Sequence, residues 1–496
     1  MVFNSQSFLF FFPIVVLMYA IIPARFRRIW LLCASYYFYM NWNAKYGLLL
    51  LTVTLISYFV GRLLACKELD NYRKHCLGGG ISATLLILIF FKYFNFFIDN
   101  LNLLCTQVLG YDGLKIDALD IILPMGISFY TFQAIGYIVD VYRKKVEAEK
   151  NVITYALYVS FFPQLVAGPI ERSSNLLAQI KNIEKVIFWD YHRIKNGFWQ
   201  ILWGLFIKIV IADRAAILVD YVFKEYYRFG TVELCLAAMI FAIQIYCDFG
   251  GYSIIAQGCA EVLGVKLVDN FAAPYFAGSI KEFWSRWHIS LSSWLKDYVY
   301  IPLGGSRCSD FKKYRNYLLT FLISGIWHGA SWNYIVWGVI HGIYQILEMC
   351  LKPFREICIK RVGAKTEVFS FKLLRRCSTF FLVDFAWIFF RSDSMKMACE
   401  YIKRIFLKWN PWALADGRIF LMGLEEKDMK ILLIAIIVLV VADILKYKYN
   451  QKITSWVQKQ NIWFEWMIFS ALFFGTIIYG IYGPGIESAQ FIYFQF

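Results

Sequence analysis

Residues 321–344 read FLISGIWHGASWNYIVWGVIHGIY. The stretch is apolar enough to lie in a bilayer, yet it holds two of the chain's five histidines, His328 and His341. An ionisable group is costly in hydrocarbon, and where one occurs it faces a cavity or path more often than lipid. Reading this segment as membrane-embedded therefore commits the chain to a bundle of spanning helices with a polar site inside it.

The totals support that reading. Of 496 residues, 59% are hydrophobic, 19% aromatic and only 17% charged. A soluble domain carries roughly 25% charge and 45–50% apolar residues, and a larger core does not make up such a gap. Mean hydropathy is +0.53. The net charge of +16 could point to nucleic acid. The bases instead lie in short runs between apolar segments, as at Arg25, Arg27 and Arg28, Arg143 to Lys145, and Lys312, Lys313 and Arg315. That is the pattern of cytoplasmic loops, and it argues against nucleic-acid binding. The 12 cysteines show no CxxC pair and no zinc spacing, so buried free thiols are expected. The first apolar run, Phe8 to Ile22, lacks a basic start and a cleavage site and reads as a retained span.

A spanning helix needs about 20 mostly apolar residues. Strong candidates are 6–23, 46–65, 78–99, 196–222, 231–247, 370–391, 430–445 and 461–482. Weaker, polar-interrupted ones are 30–42, 121–142, 152–168, 316–327 and 332–350. The expectation is an all-α polytopic membrane protein with about ten to thirteen spanning or re-entrant segments. It forms one transmembrane domain over 1–482, followed by a tail, 483–496. Lys446, Lys448 and Lys452 put the loop before the last span inside, so the tail, which has no Lys or Arg, should face outward.

Residues 255–315 form a mixed region of bases, acids and aromatics. Within KEFWSRWHISLSSWLKDYVYIPLGG, residues 281–305, Trp284, Trp287, Leu291 and Trp294 follow helical spacing. Lys281, Arg286 and Lys296 suit a headgroup region, which fits an amphipathic interfacial helix with an aromatic belt. His288 neighbours the Trp stripe rather than the basic face. In the opening segment, Gly325 lies one turn before His328 and allows close approach of another backbone. Trp327 and Trp332 would wall a dry pocket. On one continuous helix His341 falls about 220° around from His328, which excludes a metal pair. Its expected role is a hydrogen bond to a neighbouring helix. A neutral imidazole suits general-base work near neutral pH. No GxSxG elbow, HExxH or paired-carboxylate motif appears, so metal and serine-hydrolase chemistry are weakly supported.

Further polar stretches are SFYTFQAIGYIVDVYR (128–143) and IYCDFGGYS (245–253), where Asp248 with Gly250 and Gly251 is expected to break a helix. FFPQLVAGPIER (161–172) marks non-helical backbone inside the bundle. The tail, AQFIYFQF, is unusually aromatic for an exposed terminus. It reads either as an aromatic anchor or as a chain end inserted in a pocket, presenting Tyr493.

At SFYTFQAIGYIVDVYR, FFPQLVAGPIER, RWHISLSSWLKDYVYIPLGG and WHGASWNYIVWGVIHG the chain resembles a membrane-bound O-acyltransferase of the bacterial cell-envelope branch. That branch contains the alginate- and peptidoglycan-acetylation membrane subunits and the D-alanyl teichoic-acid transferase. The resemblance implies a ring of tilted helices around a thin centre with a through-tunnel. It makes His328, of the WHG motif, the catalytic histidine and places His288 near the same tunnel. Trp327, Trp332, Asn333, Arg286 and Asp297 are the substrate-binding candidates within the matched motifs. The tail carries an F-x-Y-x-x-F motif, Phe491, Tyr493 and Phe496, whose Tyr the resemblance makes the acyl carrier. It implies acetyl-CoA as donor substrate, no bound cofactor or metal, and an extracytoplasmic SGNH or Ser-hydrolase-like partner. A cell-envelope polysaccharide would be the final acceptor, and the enzyme would sit in the cytoplasmic membrane. The alternatives are D-alanyl transfer to teichoic acid and a transporter or flippase with a His proton relay.

Overall fold

The structure is a computed structural model that describes residues 1–108, 110, 116–482 and 492, and no strand occurs among them. Hydrocarbon offers no hydrogen bonds, so a spanning backbone must satisfy itself within each segment, which helices do. Among the described residues five helices are long and apolar enough to cross a membrane; they include Lys45–Leu64, Thr231–Val262 and Ile462–Tyr479. Asp310–His328, Phe369–Arg391 and Glu426–Tyr449 are also long, but carry charged side chains. The chain divides into two compact units, Met1–Phe198 with Ala256–Val268, and Trp199–Ile255 with Asp269–Phe496.

In the first unit the helix Ile127–Tyr142 is buried from Ile127 to Val141. Lys45–Leu64 packs on it where Gly61 admits the Tyr137 ring; a Cβ there would lie 2.6 Å from that ring. The side-chain amide of Gln133 on this helix is met by protein. Gln133 Nε2 donates to the Tyr158 carbonyl at 2.7 Å and Gln164 Nε2 donates to Gln133 Oε1 at 2.8 Å. After the short turn Phe162–Leu165 the backbone from 166 to 172 is irregular and almost wholly buried. Here Pro163 and Pro169 limit helix formation.

In the second unit, Asp310–His328 and Trp332–Val362 form a hairpin. Its backbones meet at glycines. A Cβ on Gly325 would lie 2.3 Å from the Tyr334 carbonyl oxygen, and one on Gly338 2.4 Å from that of Phe321. The first helix stops where Gly329 turns extended, and the Ser331 side chain caps the second by accepting from the Asn333 amide.

Three sequence expectations change. The 281–305 stretch is not one interfacial helix: it breaks at His288 (φ +42) into Ile280–Arg286 and Ile289–Leu295. Trp284, Trp287 and Trp294 are buried rather than forming a belt, because they pack on other side chains. Asp248, Gly250 and Gly251 do not break Thr231–Val262. Gly251 instead admits the Gly204 carbonyl, 2.9 Å from where its Cβ would be, and Asp248 is paired with Lys208. The 196–222 span is interrupted by a π-helical turn, Phe206–Ala212, between Tyr191–Leu205 and Asp213–Lys224.

Replacing Gly338 with Val forces the hairpin apart. The expected cost is about 1–3 kcal/mol, read as a lowered unfolding temperature in detergent, with Gly475→Ala, which lies inside the helix Ile462–Tyr479 and meets nothing within 4 Å, as the mild reference.

Candidate active site

His328 is the last residue of Asp310–His328, so its side chain leaves the helix at the hairpin tip. It is buried among rings. Centroids of Trp327, Trp337 and Phe390 lie 4.9, 5.0 and 5.3 Å from its own, all edge-on. His341 sits on the other helix of the hairpin, not further along the same one, so the expected angle around one helix does not apply. The two imidazoles flank the Trp337 indole, each 5.0 Å from it. Trp284 Nε1 donates to His341 Nδ1 at 3.3 Å, which ties the hairpin to Ile280–Arg286. His288 is buried at the break between the two short helices, 4.6 Å from Phe249 and 5.9 Å from Trp327. Trp327 thus neighbours both His288 and His328.

Two cavities adjoin this cluster. One, of about 640 Å³, is lined by Trp284, Leu291, Phe321 and Ser324, with Lys281 and Lys296 exposed on it. Ser324 is one turn before His328. The other, of about 360 Å³, is lined by Ala330, Ser331, Phe390, Arg391 and Ile492. Ala330 and Ser331 follow His328 in the tip, and Phe390 touches its ring. The residues on either side of His328 in sequence thus line two separate cavities, one with Lys281 and Lys296 on it and one with Ile492.

The other candidates are placed unevenly. Asn333 is buried and its amide donates to the Ser392 carbonyl, holding the tip to Phe369–Arg391. Trp332 is 53% exposed, so it does not wall the pocket. Trp337, one turn further on, takes that place because the helix turns its side chain inward. Arg286 is held by Glu282, at 3.0 Å, and the Ala272 carbonyl, at 2.9 Å, and lies over the Tyr447 ring. Asp297 is partly buried on the turn Lys296–Tyr300. Tyr493, Phe491 and Phe496 lie outside the described residues. Ile492, between them in sequence, is described: it is buried, and its amide donates to Asp248 Oδ2 at 2.8 Å. No group of three or more metal-ligating side chains occurs among the described residues.

Sequence reasoning missed Trp337, Phe390 and the Lys208–Asp248 pair. A lysine inside WGLFIKIVIA was the available signal for the last; the aromatics carry none, because every apolar segment is rich in them.

His328 thus lies buried at a helix end, enclosed by rings, in a helical membrane protein. The sequence model of the membrane-bound O-acyltransferase family matches residues 146–381. The chain is 38% identical to a probable alginate O-acetylase of Pseudomonas syringae pv. tomato over 86% of its length and 79% of the relative's. It is 36% identical to a probable alginate O-acetylase of Azotobacter vinelandii, over 92% of this chain and 87% of that one. A peptidoglycan O-acetyltransferase of Helicobacter pylori is 35% identical, over 81% and 79%. The protein belongs to the membrane-bound O-acyltransferase family and is an O-acyltransferase of the membrane.

Because Trp337 locates the His328 ring, Trp337→Leu should lower the initial rate of acyl transfer by about tenfold or more, as small misplacements of a reacting group do. Trp332→Leu, at an exposed position, should change it less than about twofold.

Proposed function

We propose that the protein takes an acetyl group from cytoplasmic acetyl-CoA and passes it, through the C-terminal Tyr493, to an extracytoplasmic partner that O-acetylates a cell-envelope polysaccharide. The observation that carries this reading is that the residues flanking His328 line two cavities, Ser324 the one and Ala330, with Ile492, the other. Both ends of the hairpin are basic, with Lys312, Lys313 and Arg315 at its start and Lys360 and Arg361 at its finish. By the positive-inside rule those ends are cytoplasmic. A helix of 19 residues rises about 28 Å, so the tip and its histidine belong to the far side. Lys281 and Lys296 suit the phosphates of CoA, and the apolar wall suits its pantetheine arm and thioester.

The chemistry follows. A phenol, with an ordinary pKa near 10, is easier to activate than a sugar hydroxyl. The neutral His328 imidazole takes the phenolic proton as the oxygen bonds to the thioester carbonyl carbon. The carbon–sulfur bond breaks, and the CoA thiolate leaves with the proton returned by the imidazolium. The partial negative charge of the helix carboxyl end favours that transient cation. The aryl ester on Tyr493 is then attacked by a serine hydroxyl of the partner, which releases the phenol and carries the acetyl group to the polymer. The acetylase names of the relatives in alginate and peptidoglycan O-acetylation favour acetyl as the group moved.

The test is incubation of purified protein with [14C]acetyl-CoA, followed by mass spectrometry of the C-terminal peptide. Label should appear on that peptide, vanish in Tyr493→Phe and fall at least about a thousandfold in His328→Ala. Normal polymer acetylation by Tyr493→Phe would sink the carrier, and unlabelled, uncatalytic protein would favour a transporter.

A further inference from the structure

Lys208, Asp213 and Asp248 are all buried. Lys208 Nζ lies 2.7 Å from Asp213 Oδ1 and 2.5 Å from Asp248 Oδ1. Two carboxylates against one ammonium leave the cluster with one excess negative charge and too few donors. Such an arrangement is costly unless further hydrogen bonds reach it. The remaining oxygen of Asp213 has no partner among the described residues. The remaining oxygen of Asp248 has one, the Ile492 amide, 244 positions away in sequence. Lys208 also sits on the π-helical turn Phe206–Ala212, an insertion that helices keep mostly at functional places.

We propose that the Lys208–Asp248 pair is a main-chain clamp that sets the register of the C-terminal tail before the His328 cavity. The contact reads a backbone N–H, so it selects a position along the tail rather than a side chain. The Ile492 side chain meanwhile packs in the hydrophobic cluster and lines a cavity with Phe390, whose ring lies 5.3 Å from that of His328. The clamped residue directly precedes Tyr493 in sequence. Asp248 and Lys208 are thus positioning residues, and their ion pair supplies a fixed anion in place of a rotatable neutral acceptor. The inference rests on the reading of Tyr493 as acyl carrier.

The experiment uses full-length protein in lipid nanodiscs and the initial rate at which [14C]acetyl-CoA labels the C-terminal peptide. Ile492→Pro removes the N–H; Ile492→Ala removes side-chain contacts but keeps it. Each is measured with Asp248 present and in Asp248→Ala. With Asp248 present, the Pro variant should run about tenfold or more below the Ala variant, as loss of a hydrogen bond to a charged group implies. In Asp248→Ala the two should agree within about twofold, a non-additivity that reports direct coupling. Equal rates with Asp248 present, or a gap that persists without it, would overturn the clamp. Should Asp248→Ala not fold, the triple change Lys208→Met, Asp213→Leu and Asp248→Leu supplies the uncharged background. Tyr493→Phe is run alongside. Label retained there removes the carrier reading and the clamp together; label lost there, with no Pro–Ala gap, removes the clamp alone.

Discussion

The Asp310–His328 and Trp332–Val362 helices touch backbone to backbone at Gly325 and Gly338, and the position of His328 follows from that contact. A membrane supplies little hydrophobic drive between helices, so close packing of small residues has to hold them. The hairpin meets that need with three glycines on its inner faces, Gly325, Gly338 and Gly342. Its tip is then short, and a histidine at the end of one helix comes to rest on a tryptophan of the next. Asn333 ties the same tip to the Ser392 carbonyl, so the catalytic candidate stands on rigid elements on two sides.

Three buried histidines sit in three different settings, and the differences matter more than their shared burial. His341 accepts from Trp284, a contact that joins helices. His288 occupies a left-handed backbone position between two short helices, an uncommon conformation for a residue other than glycine. His328 borders both cavities' lining segments, through Ser324 on one side and Ala330 on the other. Only the third has lining residues of both cavities within four positions of it in sequence. The tryptophans between them, Trp284, Trp337 and Trp387, pack ring against ring and form apolar walls.

Polar groups elsewhere obey the same rule. Gln164 Nε2 donates to Gln133 Oε1, and both side-chain amides donate to the Tyr158 carbonyl beside irregular backbone. Lys208 answers two carboxylates. In each case donors that lipid would reject find acceptors inside the protein.

Composition and the basic runs by themselves determined that this is a helical membrane protein, because a bilayer's thickness and the cost of bare backbone leave few solutions. The motif around His328 was likewise legible, since an imidazole in an apolar run is rare enough to mark a site. The break at His288, the unbroken helix through Asp248 and the choice of Trp337 over Trp332 were not legible. Helical periodicity says which residues share a face, but not where a helix ends or which face meets protein. Those outcomes were decided by contacts between segments far apart in the chain: Gly204 against Gly251, Trp284 against His341, Asp248 against Ile492. Such pairings depend on packing distances that only the tertiary structure fixes, because each is chosen against every other partner the folded chain could offer.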